Sequence, residues 1–333
     1  MMSYRLHRSL LLCFLCTLVS AVSPLCAVAQ DVHSSLPDFN PVLLNPAYTG
    51  FFDGKARLGL AYRNQWAAVS RPYGTLSLTA ELAVYRERYG RSGVNVGLFA
   101  YRDRAGSLHY GSTSANAIVS AFISPSPSHF LSAALELGYG QSGYDVTDLS
   151  LFDPAEALAS HTAHYFQLGA GLAWYYYCSP SFSLRLGISG RNLNRPNISF
   201  LGLDDAYLYP RWNIYARAQW LCGSSMALLP VVLYERQNAY NRLLYGFDVR
   251  WFVDDEGEHP FALGCGVAFR QGDAVVLNVL VEYASLALAV SYDANISRLA
   301  QASHSVGALE FQLAFRFRNS QRKRIRPLPC PSM

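Results

Sequence analysis

The sequence predicts an all-β fold, a transmembrane outer-membrane β-barrel of about fourteen antiparallel strands, and three observations carry that prediction. Apolar residues recur with period two over stretches of about ten residues, the length at which a tilted strand crosses a bilayer. In Tyr73 to Arg86, Leu76, Leu78, Ala80, Leu82 and Val84 share one face, while Thr75, Ser77, Thr79 and Glu81 share the other. The same alternation sets Phe166, Leu168, Leu172 and Trp174 against Gln167, Gly169 and Gly171, and Leu309, Phe311, Leu313, Phe315 and Phe317 against Glu310, Gln312 and Arg316. Secondly, the faces opposite the apolar ones are small and polar, as a lumen requires when the apolar side meets lipid. Thirdly, no apolar run of 18 residues follows the first thirty, so a helical span is excluded.

Composition agrees. Of 333 residues only 15% are charged and 14% are aromatic, with 22 Tyr and 18 Phe. A cytosolic enzyme carries roughly 25% charge, and a disordered chain carries fewer apolar residues than this one. The formal charge of +4 gives no argument for a nucleic-acid partner.

Taken in order, residues 1–29 read as a signal peptide. Arg5 and Arg8 give a positive start, Ser9 to Val19 an apolar core, and Ala27-Val28-Ala29 the small residues ahead of a cleavage that leaves Gln30 first. The apolar core is shorter than the ~20 residues of a membrane anchor. Residues 30–54 form an N-terminal periplasmic or lumenal segment. Pro41 and Pro46 fix φ and remove donors, which predicts an irregular, rigid stretch; Gly50 permits a turn into the first strand. Too irregular to cross lipid, the segment suits a partial plug.

The barrel itself is expected over 55–318, with strands near 55–64, 73–86, 92–103, 107–123, 130–142, 164–177, 181–191, 211–222, 225–236, 242–253, 260–270, 274–283, 286–293 and 306–318. With a periplasmic N-terminus, the connections 65–72, 143–163, 192–210 and 294–305 all fall outside the cell, and the opposite ones are short, as in outer-membrane barrels. Both termini are then periplasmic. Aromatic clusters near strand ends (Tyr85 and Tyr89, Trp174 to Tyr177, Tyr207, Tyr209 and Trp212, Tyr245 and Trp251) suit the headgroup level. Residues 319–333 are a basic, proline-rich tail in which Arg322, Lys323, Arg324 and Arg326 are candidate contacts to an anionic partner.

Chemistry-bearing motifs are sparse. His161 and His164 are three apart, with only Asp153 and Glu156 near in sequence, which is too little for zinc. The acidic run from Asp254 to Glu258 lacks the ligand spacing of a calcium loop. Cys222 and Cys265 fall inside apparent strands and read as small packed side chains. The reading is therefore of a protein without enzyme activity or cofactor. Glu81, Glu136, Arg185, Arg217, Asp248, Arg250, Glu282, Glu310 and Arg316 fall on polar strand faces, where opposite charges pair across a narrow lumen.

Several local words carry a resemblance. Asn45-Pro46-Ala47-Tyr48-Thr49-Gly50 precedes the first strand, and Arg63, Gln65 and Trp66 close it. Asn192, Asn194 and Pro196 follow a later strand; Tyr292, Asp293 and Asn295 precede Gly307 and Glu310; Cys330-Pro331 lies in the tail. Together these resemble the PorP/SprF family of Bacteroidota outer-membrane proteins, associated with type IX secretion and gliding motility. The resemblance implies an integral outer-membrane barrel that binds or anchors secreted adhesin-like cargo at its outer loops and contacts periplasmic or peptidoglycan-linked machinery. Asp293 and Asn295 suit Asx-type turns at a strand end. The alternative is an outer-membrane channel for small or hydrophobic solutes, which requires an open lumen.

Overall fold

Period-two patterning puts every second side chain on one side of a strand; closing the sheet makes one side face lipid and the other the lumen. The computed structural model describes residues 32–65, 73–105, 110–144, 161–179, 181–199, 206–254, 260–297, 300 and 305–317. It is one closed antiparallel barrel. The strands are β1 (Ala56–Gln65), β2 (Tyr73–Arg86), β3 (Ser92–Ala105), β4 (Tyr110–Ser126), β5 (His129–Tyr144), β6 (His161–Ser179) and β7 (Phe182–Arg191). They continue as β8 (Arg211–Leu221), β9 (Met226–Gln237), β10 (Tyr240–Asp254), β11 (Phe261–Arg270), β12 (Ala274–Tyr283), β13 (Leu286–Asn295) and β14 (Val306–Phe317).

Each strand pairs with its neighbours in sequence, and β14 returns to β1 from Ala56↔Phe317 to Gln65↔Ala308. Closure gives every strand two hydrogen-bonded neighbours, which is what a sheet in lipid requires. On β1, Leu58, Leu60 and Tyr62 are each 44% exposed, whereas Arg57 and Arg63 are buried. The register shift between Ala83 and Tyr85 in β2 turns both Val84 and Tyr85 outward.

Odd-numbered strands finish and even-numbered strands begin at one end of the barrel; because 145–160 and 192–210 separate two such pairs in sequence, we call this the long-connection end. Connections after even-numbered strands lie at the other, short-connection end, together with the start of β1 and the finish of β14. The wall is uneven. β4, β5 and β6 run 17, 16 and 19 residues, while β7, β11, β12 and β13 have 10 each. β6 pairs with β7 only from Ala170↔Gly190, so its first half rises beyond the end of β7.

Two sequence expectations are corrected here. Cys222 and Cys265 are exposed rather than packed, because Cys222 follows β8 in a turn and Cys265 has the outward parity of β11. Within the aromatic cluster at 174–177, Tyr175 has inward parity and is 1% exposed, so it belongs to the lumen and not to a headgroup belt.

Candidate functional site

The lumen is occupied by the protein's own residues 32–54. Asn40-Pro41 and Asn45-Pro46 each open a helical turn, α1 (Pro41–Leu44) and a 3-10 turn (Pro46–Tyr48). Asn40 Oδ1 accepts the Leu43 N–H at 3.3 Å, and Asn45 Oδ1 accepts the Ala47 N–H at 2.8 Å. Proline at the first helical position costs no hydrogen bond, and the preceding asparagine caps the turn. The expectation of an irregular stretch is thus corrected to two capped turns. At Gly50 the backbone is left-handed (φ 81°), and a Cβ there would overlap Asn95.

A segment buried this way must find partners for its backbone. The wall supplies them from inward-facing side chains. Asn213 and Ser189 donate to Leu44 O at 2.7 and 2.8 Å, Ser132 to Ala47 O at 2.8 Å, and Ser120 to Thr49 O at 2.9 Å. The Gly50 N–H donates to Glu81 at 2.8 Å, and Arg191 donates to Val42 O at 2.8 Å. Asn45 reaches the wall backbone itself, donating to Leu172 O and Ile188 O at 3.0 and 3.2 Å. Gly171 and Gly187 make that approach possible, since a Cβ at either would overlap Asn45 or Tyr48. Apolar packing completes the seat: Tyr48 meets Tyr175 and Tyr215 edge-on, and Phe51 stacks on Tyr175 at 4.0 Å between ring centroids.

Three ionic clusters hold the segment's upstream half. At the long-connection end, Arg63 bridges Asp293 at 2.8 Å and Glu310 at 2.9 Å, and Arg270 bridges Asp293 at 2.7 Å. Ser34 Oγ and the Ser35 N–H donate to Glu310 at 2.6 and 2.9 Å, and Ser35 Oγ donates to Asp293 at 2.9 Å. Beside this, Glu235 pairs with both Arg211 and Arg242, and Arg211 also donates to Val32 O. Further down, Asp38 pairs with Arg185 and Arg217 and accepts from Tyr215 Oη; Arg217 continues to Asp248 at 2.7 Å.

The segment is not part of the membrane-spanning wall, and its titratable groups respond to this setting. Burial pushes the Asp38 carboxyl up, but Arg217 and Arg185 outweigh it and hold the group below the usual carboxylate range. Burial and the surrounding Arg242, Arg63, Arg270 and Arg211 hold His33 well below the usual imidazole range, so its ring is neutral. With each of these carboxylates carrying an arginine, the arrangement suits anchoring.

The predicted site residues separate clearly. Arg63 and Asp293, from different sequence words, meet with Glu310 in one cluster. Asn45, Pro46, Ala47, Tyr48 and Gly50 form the seated turn. Asp293 and Asn295 lie inside β13 rather than making Asx turns: Asp293 faces Arg63, and Asn295 donates to Val306 O at 3.3 Å. Gln65 ends β1, 3.5 Å from Arg63, and Tyr292 faces outward. Asn194 acts at the rim, where β7 has stopped: it accepts the Leu168 N–H at 3.0 Å and donates to Phe166 O at 2.8 Å, standing in for a strand against β6. Asn192, with φ 54°, accepts from Gln167 at 2.7 Å, and Pro196 O accepts the Leu208 N–H at 2.9 Å. Trp66, Arg322, Lys323, Arg324, Arg326, Cys330 and Pro331 lie outside the described residues. Sequence reasoning missed Ser34, Ser35, Asp38, Arg211, Glu235, Arg242 and Arg270. The inward parity of the wall members was a usable signal; Asp38 had none.

Among known proteins, the family profile described as type IX secretion system membrane protein PorP/SprF matches residues 27–315. No curated protein matches the chain at a significant level. Among solved structures, the toluene transporter TbuX of Ralstonia pickettii is similar at TM-score 0.53 and 11% identity, covering 88% of this chain and 96% of that one. A mutant of the monoaromatic hydrocarbon channel TodX is similar at TM-score 0.50 and 8% identity, covering 82% and 93%. At these identities the likeness is one of fold.

Proposed function

The chain belongs to the PorP/SprF family of type IX secretion membrane proteins, and from that premise we propose a plugged, non-enzymatic outer-membrane barrel that binds or anchors secreted adhesin-like cargo. The cargo engages the long connections outside the cell, and the basic tail 319–333 contacts periplasmic or peptidoglycan-linked machinery. A signal peptide over 1–29 delivers it, and lipid surrounds the wall. The observation that carries the reading is the lumen. A solute conduit needs a path, whereas here residues 34–36 and 40–52 are buried inside the barrel, and the segment is tied to the wall at Val32 by Arg211, at Ser35 by Arg63, at Asp38 by Arg185 and Arg217, and at Val42 by Arg191. Those ties favour a rigid platform over a channel for small or hydrophobic solutes.

A tagged pull-down from outer membrane in mild detergent, read by mass spectrometry, tests it. Co-purification of one large secreted protein together with periplasmic machinery is expected. Truncating 319–333 should keep heat-modifiable barrel migration while reducing co-purification of the periplasmic proteins and surface display of the cargo. Recovery of the barrel alone, with solute uptake in vesicles, would instead favour the channel.

A further inference from the structure

The outer face of the wall marks its own height in the bilayer. On β5, His129 stacks on Trp174 and Tyr176 of β6 near the short-connection end, and Trp174 Nε1 donates to His129 Nδ1 at 3.1 Å. Ten residues further along β5, Tyr139 packs against His164 and Phe166 near the other end. Leu131, Ala133, Leu135 and Leu137 are the outward side chains between them. Ten residues at 3.3 Å and a tilt near 40° rise about 25 Å, the height of the apolar band of an outer-membrane barrel. The two aromatic groups therefore stand at the two headgroup levels.

On β3 the same interval ends in charge. Its Val94 pairs with the exposed Tyr85 at the short-connection end of β2. Eight and ten residues beyond Val94, on the outward face continued by Val96, Leu98 and Ala100, come Arg102 and Arg104. Both are exposed, and among the described residues neither pairs with a carboxylate. The outward faces of β1 to β5 carry no acid among the described residues. Arg104 has glycine on both sides in the sheet, Gly74 on β2 and Gly111 on β4. A Cβ added at Gly74 would meet nothing nearer than the Tyr62 hydroxyl at 4.0 Å. Arg102 lies between Leu76 and Thr113, both exposed.

We propose that Arg102 and Arg104 form a binding site for the phosphate of a lipid in the leaflet at the long-connection end. Two guanidinium groups about 7 Å apart on one face of a strand can each present paired N–H donors to a phosphate. The flanking glycines leave a notch beside Arg104 for the headgroup, with the Thr113 and Tyr62 hydroxyls at its margin. Leu76 and Leu98 lie below, where the acyl chains run. At this level an arginine reaches anionic headgroups without entering hydrocarbon. The site depends on the wall standing in a bilayer and not on what the barrel anchors.

Native mass spectrometry of the full chain, released from detergent, tests the site with phosphatidic acid, phosphatidylcholine and inorganic phosphate as probes. Heat-modifiable migration checks that each variant is folded. The unmodified protein is expected to retain phosphatidic acid in preference to phosphatidylcholine, and an equal concentration of inorganic phosphate should not displace it. Arg102→Gln with Arg104→Gln should weaken phosphatidic acid binding by about tenfold or more. Gly74→Leu, which fills the notch without changing charge, should weaken it as well. Arg236→Gln, a lone exposed arginine at the same end of β9, lies beyond screening distance and should change binding by no more than about twofold. Equal retention of the two lipids, or undiminished binding in the double variant or in Gly74→Leu, overturns the site. An equal loss in Arg236→Gln reduces the effect to general surface charge and overturns the pair. Displacement by inorganic phosphate assigns a free anion instead of a lipid. Loss of a protein from the pull-down of the double variant, with lipid retention intact, gives the pair to a protein interface and likewise overturns the lipid site. The partners of the unmodified barrel are scored separately, so failure here leaves the proposed function standing.

Discussion

Replacing Arg63 by Ala should undock the plug without opening the wall. The substitution removes a guanidinium from two carboxylates that are both buried, Asp293 and Glu310. Asp293 keeps Arg270 at 2.7 Å. Glu310 keeps the Ser34 hydroxyl and the Ser35 N–H, both supplied by the plug, along with Gln312 from its own strand. Removing one member of a buried pair costs roughly 3–5 kcal/mol; the donors that remain place this variant at about 3 kcal/mol, the lower end of that range. Since 1.4 kcal/mol is tenfold, the undocked population rises by about two orders of magnitude. The backbone pairing of β1 with β14 and β2 does not depend on the Arg63 side chain. Hydrogen exchange read by mass spectrometry on nanodisc-embedded protein should therefore accelerate in peptides covering 34–50 and stay constant in β4, β5 and β6. Arg63→Ala with Glu310→Gln, which removes the stranded charge, should recover part of the protection. Unchanged exchange at 34–50, or a loss confined to the wall, would refute the assignment of this cluster as the plug's anchor.

Gly187→Val should dislodge Tyr48 and Asn45 at a cost of roughly 1–3 kcal/mol, seen as faster exchange across 45–48, whereas Gly74→Ala, whose Cβ would meet nothing nearer than 4.0 Å, should be silent. Deleting residues 34–50 should raise single-channel conductance in planar bilayers above that of the intact protein; equal conductance would mean the lumen is closed by something else. Asn194→Ala removes two hydrogen bonds to the β6 edge, each worth roughly 0.5–1.5 kcal/mol, and should sensitise the 192–199 stretch to protease without altering the plug. His33 is held neutral among Arg242, Arg63, Arg270 and Arg211, with Glu235 and Tyr240 also lining its gap. A depressed histidine contributes stability that is lost as pH falls below its unfolded value of about 6.5. With exchange corrected for its intrinsic pH dependence, protection at 33–36 should fall between pH 7.5 and pH 5, and His33→Gln should flatten that dependence.

The wall was legible because each strand repeats a two-state decision, in or out, many times. Leu309, Phe311, Leu313, Phe315 and Phe317 all face out, and Glu310, Gln312 and Arg316 all face in, as the alternation requires. The plug was legible only as something that does not fit a strand. Two asparagine–proline pairs signal breaks equally well in an irregular loop and in a capped turn; the difference lies in whether Asn40 and Asn45 find an N–H two or three residues ahead, which tertiary enclosure decides. The ionic clusters were half visible. Inward arginines and acids were countable along the strands, yet which ones meet depends on register and shear, and Asp38 joins Arg185 to Arg217 from a stretch with no periodicity at all. Asp293 was misjudged as turn chemistry because aspartate near a strand end has two uses, and only the position of Arg63 across the seam from it distinguishes them.

The uneven height of the staves has a geometric consequence. β6 continues from His161 to Ala170 beyond its pairing with β7, an extra rise of roughly 20 Å at 3.3 Å per residue and a tilt near 45°. A bilayer has one thickness, so a rim that high on one side and low on the other stands as a half-collar. Among the described residues, β4, β5 and β6 are long on one side of the barrel and β11, β12 and β13 short on the other. A symmetric rim accepts a visitor in any rotational setting. A rim of unequal height has no such symmetry, so rotation about the axis stops being a free variable.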